Sequence, residues 1–474
     1  MNKNEEIRRD LARTVIKEPL YSMIRDEANA DRPLAVIAEA NEDYYLGGDR
    51  AAAQLAALFA ARPVGNGYFA ARLLPAAIVA LVEEDYQAAR AQQAAAASPL
   101  ARYLAIRRIW YDHPIRPLLD KSVSTVKADA AHRAFLAEGR DIVWAVIDSG
   151  IDRTHRHFEE RHTLDVGLPL AHVDFTGADS ALTDGFGHGT HVAGIIAGSL
   201  LSPSGSPAAI AQRTRLGDSG QIESFDEPLS RLDGMAPACK LVSLKVLDDN
   251  GEGEVSGIIA AIDRIQTINN YGRNIRIHGV NMSVGYEFDP SWFACGQSPV
   301  CAEVNRLVRT GVVVVIAAGN TGYGVLNSEQ RPTSGGMMVT INDPGNADLA
   351  ITVGSTHREA PHTYGVSYFS SKGPTGDGRM KPDLVAPGER ILSCCSSAKA
   401  AGNSPNVYIE DSGTSMAAPH VSGAIAAFLS IRREYIGNPQ KVKDLFLATA
   451  TDLGRNSYFQ GRGLLDLMRA IQSV

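Results

Sequence analysis

Cysteine is scarce in this 474-residue chain: Cys239, Cys295, Cys301, Cys394 and Cys395 are the only five. Five is no disulfide framework, and an odd count leaves at least one thiol unpaired within a monomer. Cys295 and Cys301 are spaced to close a short loop if oxidised, but in a cytoplasmic protein two reduced thiols are the expected state. Long apolar runs are missing too. No stretch of 18 apolar residues occurs, and Val312–Ile316 is only strand-sized. The charged start, Met1 to Asp10, holds no secretory hydrophobic region, so a soluble cytoplasmic protein is expected. Basic charge is not in excess: 46 Lys and Arg against 53 Asp and Glu give −7. No general attraction to nucleic acid or an anionic membrane follows. The 44 glycines and 23 prolines are too few and too unperiodic for a fibrous chain. There is no internal repeat. What remains is ordinary globular composition, 45% hydrophobic and 21% charged, long enough for two or three domains.

The order of patterns divides the chain into three parts. Residues 1–32 are polar and helical in character. Residues 33–119 form a small α+β unit: strands at Leu34–Glu39, Tyr68–Leu73 and Ile106–Trp110, helices over Gly48–Ala61 and Ala76–Ala97. From residue 120 to 474 strands alternate with helices. The strands are Val143–Ile147, Leu241–Leu247, Gly279–Ser283 and Val312–Ala317; helices begin at His188, Ser256, Val300 and Thr414. This alternation predicts an α/β domain with a mostly parallel central sheet flanked by helices. The Ser/Pro/Gly-rich stretch 199–233 reads as a surface insertion without strands.

Three segments surround single reactive residues with small ones. In Ala145-Val146-Ile147-Asp148-Ser149-Gly150, an aspartate ends an apolar strand, where α/β sheets place functional groups; taken alone it is more readily a turn or cap residue. In Gly187-His188-Gly189-Thr190-His191-Val192-Ala193-Gly194, His188 and His191 stand at i,i+3. A zinc pair lacks an obvious third ligand, so His191 reads as structural and His188, at the helix entrance, as a proton carrier. In Gly413-Thr414-Ser415-Met416-Ala417-Ala418-Pro419-His420, Ser415 sits at a helix start, where free N–H groups and the dipole favour negative charge. Capping alone explains such a serine, but not Pro419 inside the helix.

Asp148, His188 and Ser415 in that chain order are far stronger together than any one alone. With these segments the chain from about Ser122 to Val474 resembles the subtilisin-like serine peptidases, and among them the intracellular type. The resemblance implies a serine endopeptidase in which Ser415 attacks the carbonyl, His188 carries the proton and Asp148 orients the imidazole. Ala317-Ala318-Gly319-Asn320 follows a strand where the family places its oxyanion asparagine, which implies that role for Asn320. Asn281 to Gly285 and Asn250 to Glu254 resemble its two substrate-binding strands. Gly251, Glu252, Gly253, Ser283, Val284 and Gly285 would then sandwich an extended peptide, with Val255 and Ile258 lining a distal pocket. Segments 343–347, 351–354, 369–374 and 381–388 resemble its later core strands.

Residues 33–119 resemble the family's ferredoxin-like prodomain, which implies a self-inhibited zymogen cleaved near Leu119–Asp120. Polypeptides are the implied substrates, and the chain's own N-terminal domain is the implied intramolecular inhibitor. No nucleic-acid or membrane partner is expected, and the chemistry requires no cofactor and no metal. Structural calcium is left without ligands, because 199–233 replaces the family's usual loop and His155-Arg156-His157-Phe158 replaces an aspartate-containing turn. Two decoys fail on context: Gly251-Glu252-Gly253 lacks the third glycine of a dinucleotide loop, and Gly217-Asp218-Ser219-Gly220 lies in the polar insertion. The rival from another class is a catalytically silent peptide-binding protein using the same groove. An α/β-hydrolase esterase fails on chain order.

Overall fold

The computed structural model describes residues 14–17, 20–59, 62–65, 67–93, 99–111, 121–178, 180–201, 208–216, 221–289, 294–327, 332–400 and 407–474. The chain divides into two compact units, Met1–Pro117 and Leu118–Val474.

In the first unit, β1 (Leu34–Ala40), β2 (Arg62–Gly65), β3 (Tyr68–Leu73) and β4 (Ile106–Tyr111) form a sheet of order β2-β3-β1-β4. All its pairings are antiparallel. Helices α1 (Gly48–Phe59) and α2 (Pro75–Gln93) make the two crossovers, giving a split β-α-β. Strand β1 alternates buried and half-buried residues, and Leu34, Val36 and Ala38 join Leu55, Ile78 and Ile109 in the core. Buried Asp85 on α2 accepts the backbone N–H groups of Ala105 and Ile106, each at 3.0 Å, and so fastens the helix to the start of β4. The sequence reading missed β2, a four-residue strand containing Pro63. It lies at the sheet edge, the one place a strand tolerates proline.

The second unit is built on β5 (Val143–Asp148), β6 (Val173–Asp174), β11 (Lys240–Lys245), β12 (Gly279–Met282), β13 (Val313–Ala317), β16 (Ile351–His357) and β17 (Leu384–Glu389). These seven strands are parallel, in the order β17-β16-β13-β12-β5-β11-β6. Both faces are covered, and period-two side chains sort accordingly. Trp144, Val146, Val315 and Val353 face helices α3 (His188–Ile196) and α6 (Thr414–Ile431). Ala145, Ile147, Val314 and Ile316 face α4 (Val255–Ile268) and α5 (Pro299–Arg309). Gly279 is required where β12 passes β5: a Cβ there would stand 2.2 Å from the Trp144 ring. Helix α6 is long and apolar enough to cross a membrane by composition, yet 83% of it is buried within the protein. A central core helix satisfies the same composition.

Several expectations need correction. Residues 199–233 are not a strandless insertion: they contain β7 (Ser199–Leu201), β8 (Ala209–Leu216), β9 (Ile222–Leu229) and β10 (Arg231–Asp233). Strands β8 and β9 form a hairpin that extends β18 (Ile391–Cys394) and β19 (Val407–Asp411) into a sheet of order β18-β19-β8-β9. The Gly217–Gly220 decoy lies outside the described residues. Residues 343–347 and 369–374 are turns and loops rather than core strands, and only 351–354 and part of 381–388 enter the sheet. After Asn320 comes a second hairpin, β14 (Tyr323–Asn327) with β15 (Pro332–Gly336). Helix α6 is followed by another, α7 (Pro439–Thr449). All five cysteines are free and buried. The expected cleavage point, Leu119–Asp120, falls outside the described residues.

Candidate active site

The parallel sheet delivers Asp148 to the carboxyl end of β5, between β11 and β12. Its carboxylate is buried. Oδ1 accepts the Ser149 N–H at 2.8 Å and lies 2.7 Å from His188 Nδ1, while Oδ2 has no hydrogen-bond partner among the described residues. His188 opens α3 after Gly187, whose φ of +84° turns the chain into the helix. Gly189 permits the approach: a Cβ there would lie 2.2 Å from the Gly150 carbonyl and 3.1 Å from Asp148 Cβ. Burial pushes the His188 pKa down. The Asp148 charge and hydrogen bond, with smaller contributions from Asp411 and Asp184, outweigh burial and raise it above the usual 6.5.

Two supporting residues were missed from sequence. Asp184, buried, accepts the backbone N–H groups of Gly187 (2.7 Å) and Thr190 (2.8 Å) and the hydroxyls of Thr190 (2.6 Å) and Ser149 (2.9 Å). Ser149 Oγ in turn accepts the Gly189 N–H at 2.9 Å. The turn entering α3 is thereby tied to the residue after Asp148. An aspartate four positions before a helix-opening histidine was the available signal. Phe186 was also missed; its ring stands 6.3 Å from that of His188.

His191 does not share a site with His188. Its Nε2 faces the carbonyls of Ile391 (3.1 Å) and Ile409 (3.2 Å), and burial lowers its pKa to about 4. Among the described residues no three His, Cys, Asp or Glu side chains are grouped to hold a metal ion, and no calcium ligands are assigned.

Ser415 is the second residue of α6, where backbone N–H groups have no acceptor within the helix. Asn320 follows β13 and is orientated by Thr414: its Oδ1 accepts the Thr414 N–H (2.9 Å) and hydroxyl (3.1 Å). With Oδ1 occupied, the Nδ2 donor is the free end of the carboxamide. The Ser415 hydroxyl donates to the Ser283 carbonyl at 3.1 Å rather than to His188. The Ser283 hydroxyl donates back to the Ser415 carbonyl at 2.9 Å. That second bond accounts for Pro419. In a regular helix the Ser415 carbonyl would accept the N–H of residue 419, which proline lacks. Asn281 Nδ2 holds Ser283 Oγ at 2.9 Å, and Ser422 on α6 donates to Asn281 Oδ1 at 2.8 Å, closing a loop between helix and strand.

The two substrate segments differ in form. Asn281 and Met282 end β12, and Ser283–Gly285 continue beyond it until Tyr286 pairs with Asp343 through both backbone groups, at 2.9 and 3.0 Å. Residues 249–251 turn, with Asp248 Oδ1 accepting the N–H groups of Asn250 (2.9 Å) and Glu252 (3.0 Å), and 252–254 follow without a strand partner among the described residues, Glu254 being extended. Gly251 has φ +81°, and a Cβ on it would strike the Phe186 ring at 2.6 Å. Glu252 and Gly253 are exposed. Ile258 is buried in the core, and half-buried Val255 packs against it.

A sequence profile described as the subtilase family matches residues 139–463, the greater part of the chain. This chain belongs to the subtilase family. Subtilisin E of Bacillus subtilis (strain 168) is 31% identical over 351 residues, spanning 74% of this chain and 70% of that protein. Subtilisin DY of Bacillus licheniformis is 29% identical over 350 residues, spanning 74% of this chain and 97% of that protein. The serine protease AprX of Bacillus subtilis (strain 168) is 28% identical over 370 residues, spanning 73% and 70%. The chain is thus a subtilisin-family serine peptidase, an endopeptidase on the subtilisin-like α/β fold.

Proposed function

We propose that this subtilase cleaves peptide bonds through Asp148, His188 and Ser415, by way of an acyl-enzyme. The observation that carries the reading is the 2.7 Å contact of His188 Nδ1 with buried Asp148. It fixes the proton on Nδ1 and leaves Nε2 with the lone pair a base needs. Substrate N–H groups laid along Ser283–Gly285 take over the Ser283 carbonyl, and the Ser415 hydroxyl turns to Nε2. Its oxygen then adds to the scissile carbonyl as His188 takes the proton. The charge on the carbonyl oxygen is met by Asn320 Nδ2 and the Ser415 N–H, at the positive end of α6. His188 returns the proton to the leaving amine, and water repeats the sequence on the ester. Asp148 stabilises the imidazolium throughout.

We further propose that the N-terminal unit is the intramolecular inhibitor of a zymogen. Its support is its independent core and its place immediately before the catalytic unit. The alternative, a silent peptide binder, draws on the Ser415 hydroxyl being turned to Ser283 rather than to His188.

Intact-mass analysis after fluorophosphonate treatment separates these readings. One adduct, absent in Ser415→Ala, establishes the nucleophile; the mass of the labelled chain shows whether the first unit was shed. No adduct, even after mild proteolysis of that unit, would leave the silent binder. Asn320→Ala should lower kcat by about 10²–10³, the loss known for a subtilisin oxyanion donor, with KM little changed.

A further inference from the structure

A cleft of about 300 Å³ borders Asn320 and is walled by Tyr368, Phe369, Glu389, Arg390 and Ser412. It contains none of the residues of the two substrate segments. If the acyl part of a peptide lies along Ser283–Gly285, the amine part departs across Asn320 into this cleft. One wall is aromatic: the Tyr368 ring meets Phe369 edge-on at 5.3 Å and Tyr323, from the β14–β15 hairpin, at 5.6 Å. Even with these ring contacts Tyr368 is 68% exposed.

Arg390 lines the same cleft in an unusual state. Its φ is +53°, a conformation normally left to glycine or asparagine. The backbone is clamped there from both sides: its N–H donates to Ser412 Oγ at 2.8 Å, and its carbonyl accepts Arg358 Nη1 at 2.7 Å. Its guanidinium leans on buried Glu410 through Nε (3.3 Å) and Nη2 (3.2 Å), both on Oε2. That carboxylate is already crowded. Oε2 also accepts the Thr214 N–H at 3.1 Å, while Oε1 accepts Arg213 and Arg358. Arg390 is the most exposed of the three arginines, its side chain 44% accessible, and its Nη1 has no partner among the described residues. Three cations share one carboxylate, and the one facing the cleft is the least satisfied. The positive end of α6 lies close by, since Ser412 precedes its first residue by two.

We propose that Arg390 reads a carboxylate in the leaving segment of the substrate, its planar fork taking the charge while Tyr368 and Phe369 cover the adjoining backbone. The inference rests on the peptidase reading above. The carboxylate is an acidic side chain or the α-carboxylate of a peptide cut close to its C-terminus. Glu389 shares the cleft and Asp411 precedes Ser412; both oppose an anion, so the sign of the preference is itself diagnostic.

The test uses quenched peptides, identical up to the scissile bond, cleaved by the full-length protein. One series carries Glu, Gln or Lys at each of the first three leaving-side positions. A second pairs a free C-terminus with its amide. The wild type should cleave the carboxylate member about three- to five-fold faster in kcat/KM than its amide counterpart, the size of a partly exposed ion pair. The series in which this occurs identifies the source of the carboxylate. The ratio should fall to one in Arg390→Gln, remain in Glu389→Gln, and shrink in the wild type as salt rises from 0.02 to 0.5 M. The salt series needs no variant to fold. Equal rates in both series, a preference for Lys, or a ratio that survives Arg390→Gln would overturn the proposal. Cleavage of the Gln peptide with labelling of Ser415 would in that case leave the peptidase reading standing; failure of both would overturn the two together.

Discussion

Asp148 and Asp383 are both buried carboxylates at the rim of the same sheet, and the protein treats them in opposite ways. Asp383 is fully engaged: Oδ2 takes Lys381 Nζ at 2.6 Å and the Thr352 N–H at 2.7 Å, and Oδ1 takes Lys443 Nζ at 3.1 Å. The two lysines spend their remaining protons on the Ala350 and Asp348 carbonyls and the Thr352 hydroxyl. Asp148 has one oxygen engaged and the other without a hydrogen-bond partner among the described residues. A buried unpartnered carboxylate oxygen is costly, and the costs of folding are met elsewhere in the fold. The difference separates a charge whose lysine partners are permanently cationic from one whose imidazole partner changes charge with its protonation.

Two aspartate-to-asparagine changes should invert each other's effects. Asp148→Asn should lower kcat by about 10⁴, because an amide donating to Nδ1 leaves the proton on Nε2, the wrong tautomer for a base, with folding stability changed by less than about 1 kcal/mol. Asp383→Asn should leave kcat per folded molecule intact and lower stability by about 3–5 kcal/mol, since two lysines are left buried without compensation. Urea unfolding of both in a Ser415→Ala background, with burst titration of the active forms, checks the pair. Comparable losses of stability in the two would dissolve the contrast.

The same contrast holds for imidazoles. Raised by Asp148, His188 must still be neutral to act as base, so kcat/KM should fall along an acid limb whose midpoint lies above 6.5. The histidines of the core behave oppositely. Burial lowers His157 to about 3 and His191 and His420 to about 4. Unfolded, each binds a proton near pH 6.5. Between the folded and unfolded values the unfolded chain holds more protons, so stability is complete above 6.5 and is lost as pH falls toward 4. The slope reaches at most about 4 kcal/mol per pH unit for three groups together. Melting curves of Ser415→Ala between pH 8 and 4.5 should show it; a flat Tm down to pH 5 would remove these histidines from the account.

What the sequence disclosed was whatever short range dictates. Val143–Asp148 and Val313–Ala317 are continuous apolar runs because both faces of a parallel strand are covered, and their C-terminal ends point to Asp148 and Asn320. The small residues around His188 and Ser415 mark close approach, visible without any fold. The Asp184 network was hidden because its meaning lies in tertiary bonds to Ser149 and Thr190. Strands β8 and β9 were hidden because their alternation is polar, as in Ile222-Glu-Ser-Phe-Asp-Glu-Pro-Leu229. Pro228 is tolerated there because β9 is an edge strand. The turn at 249–251 was hidden because it depends on the Asp248 carboxylate accepting the N–H groups of Asn250 and Glu252, which the two glycines do not announce.

The smallest predicted effect concerns Ser283 and Pro419. Ser283→Ala removes the donor to the Ser415 carbonyl, and Pro419 offers no N–H in its place. The buried carbonyl is then unpaired, at about 1–2 kcal/mol. Pro419→Ala restores a main-chain donor at the position a helix would use, so the two changes should not add. In a Ser415→Ala background, where the carbonyl is retained, the double variant should be more stable than the sum of the single effects by about 1 kcal/mol. Strict additivity would mean that the Ser283 hydroxyl and the proline are unrelated features. In that case the turn of Ser415 toward Ser283 would owe nothing to the break in its helix.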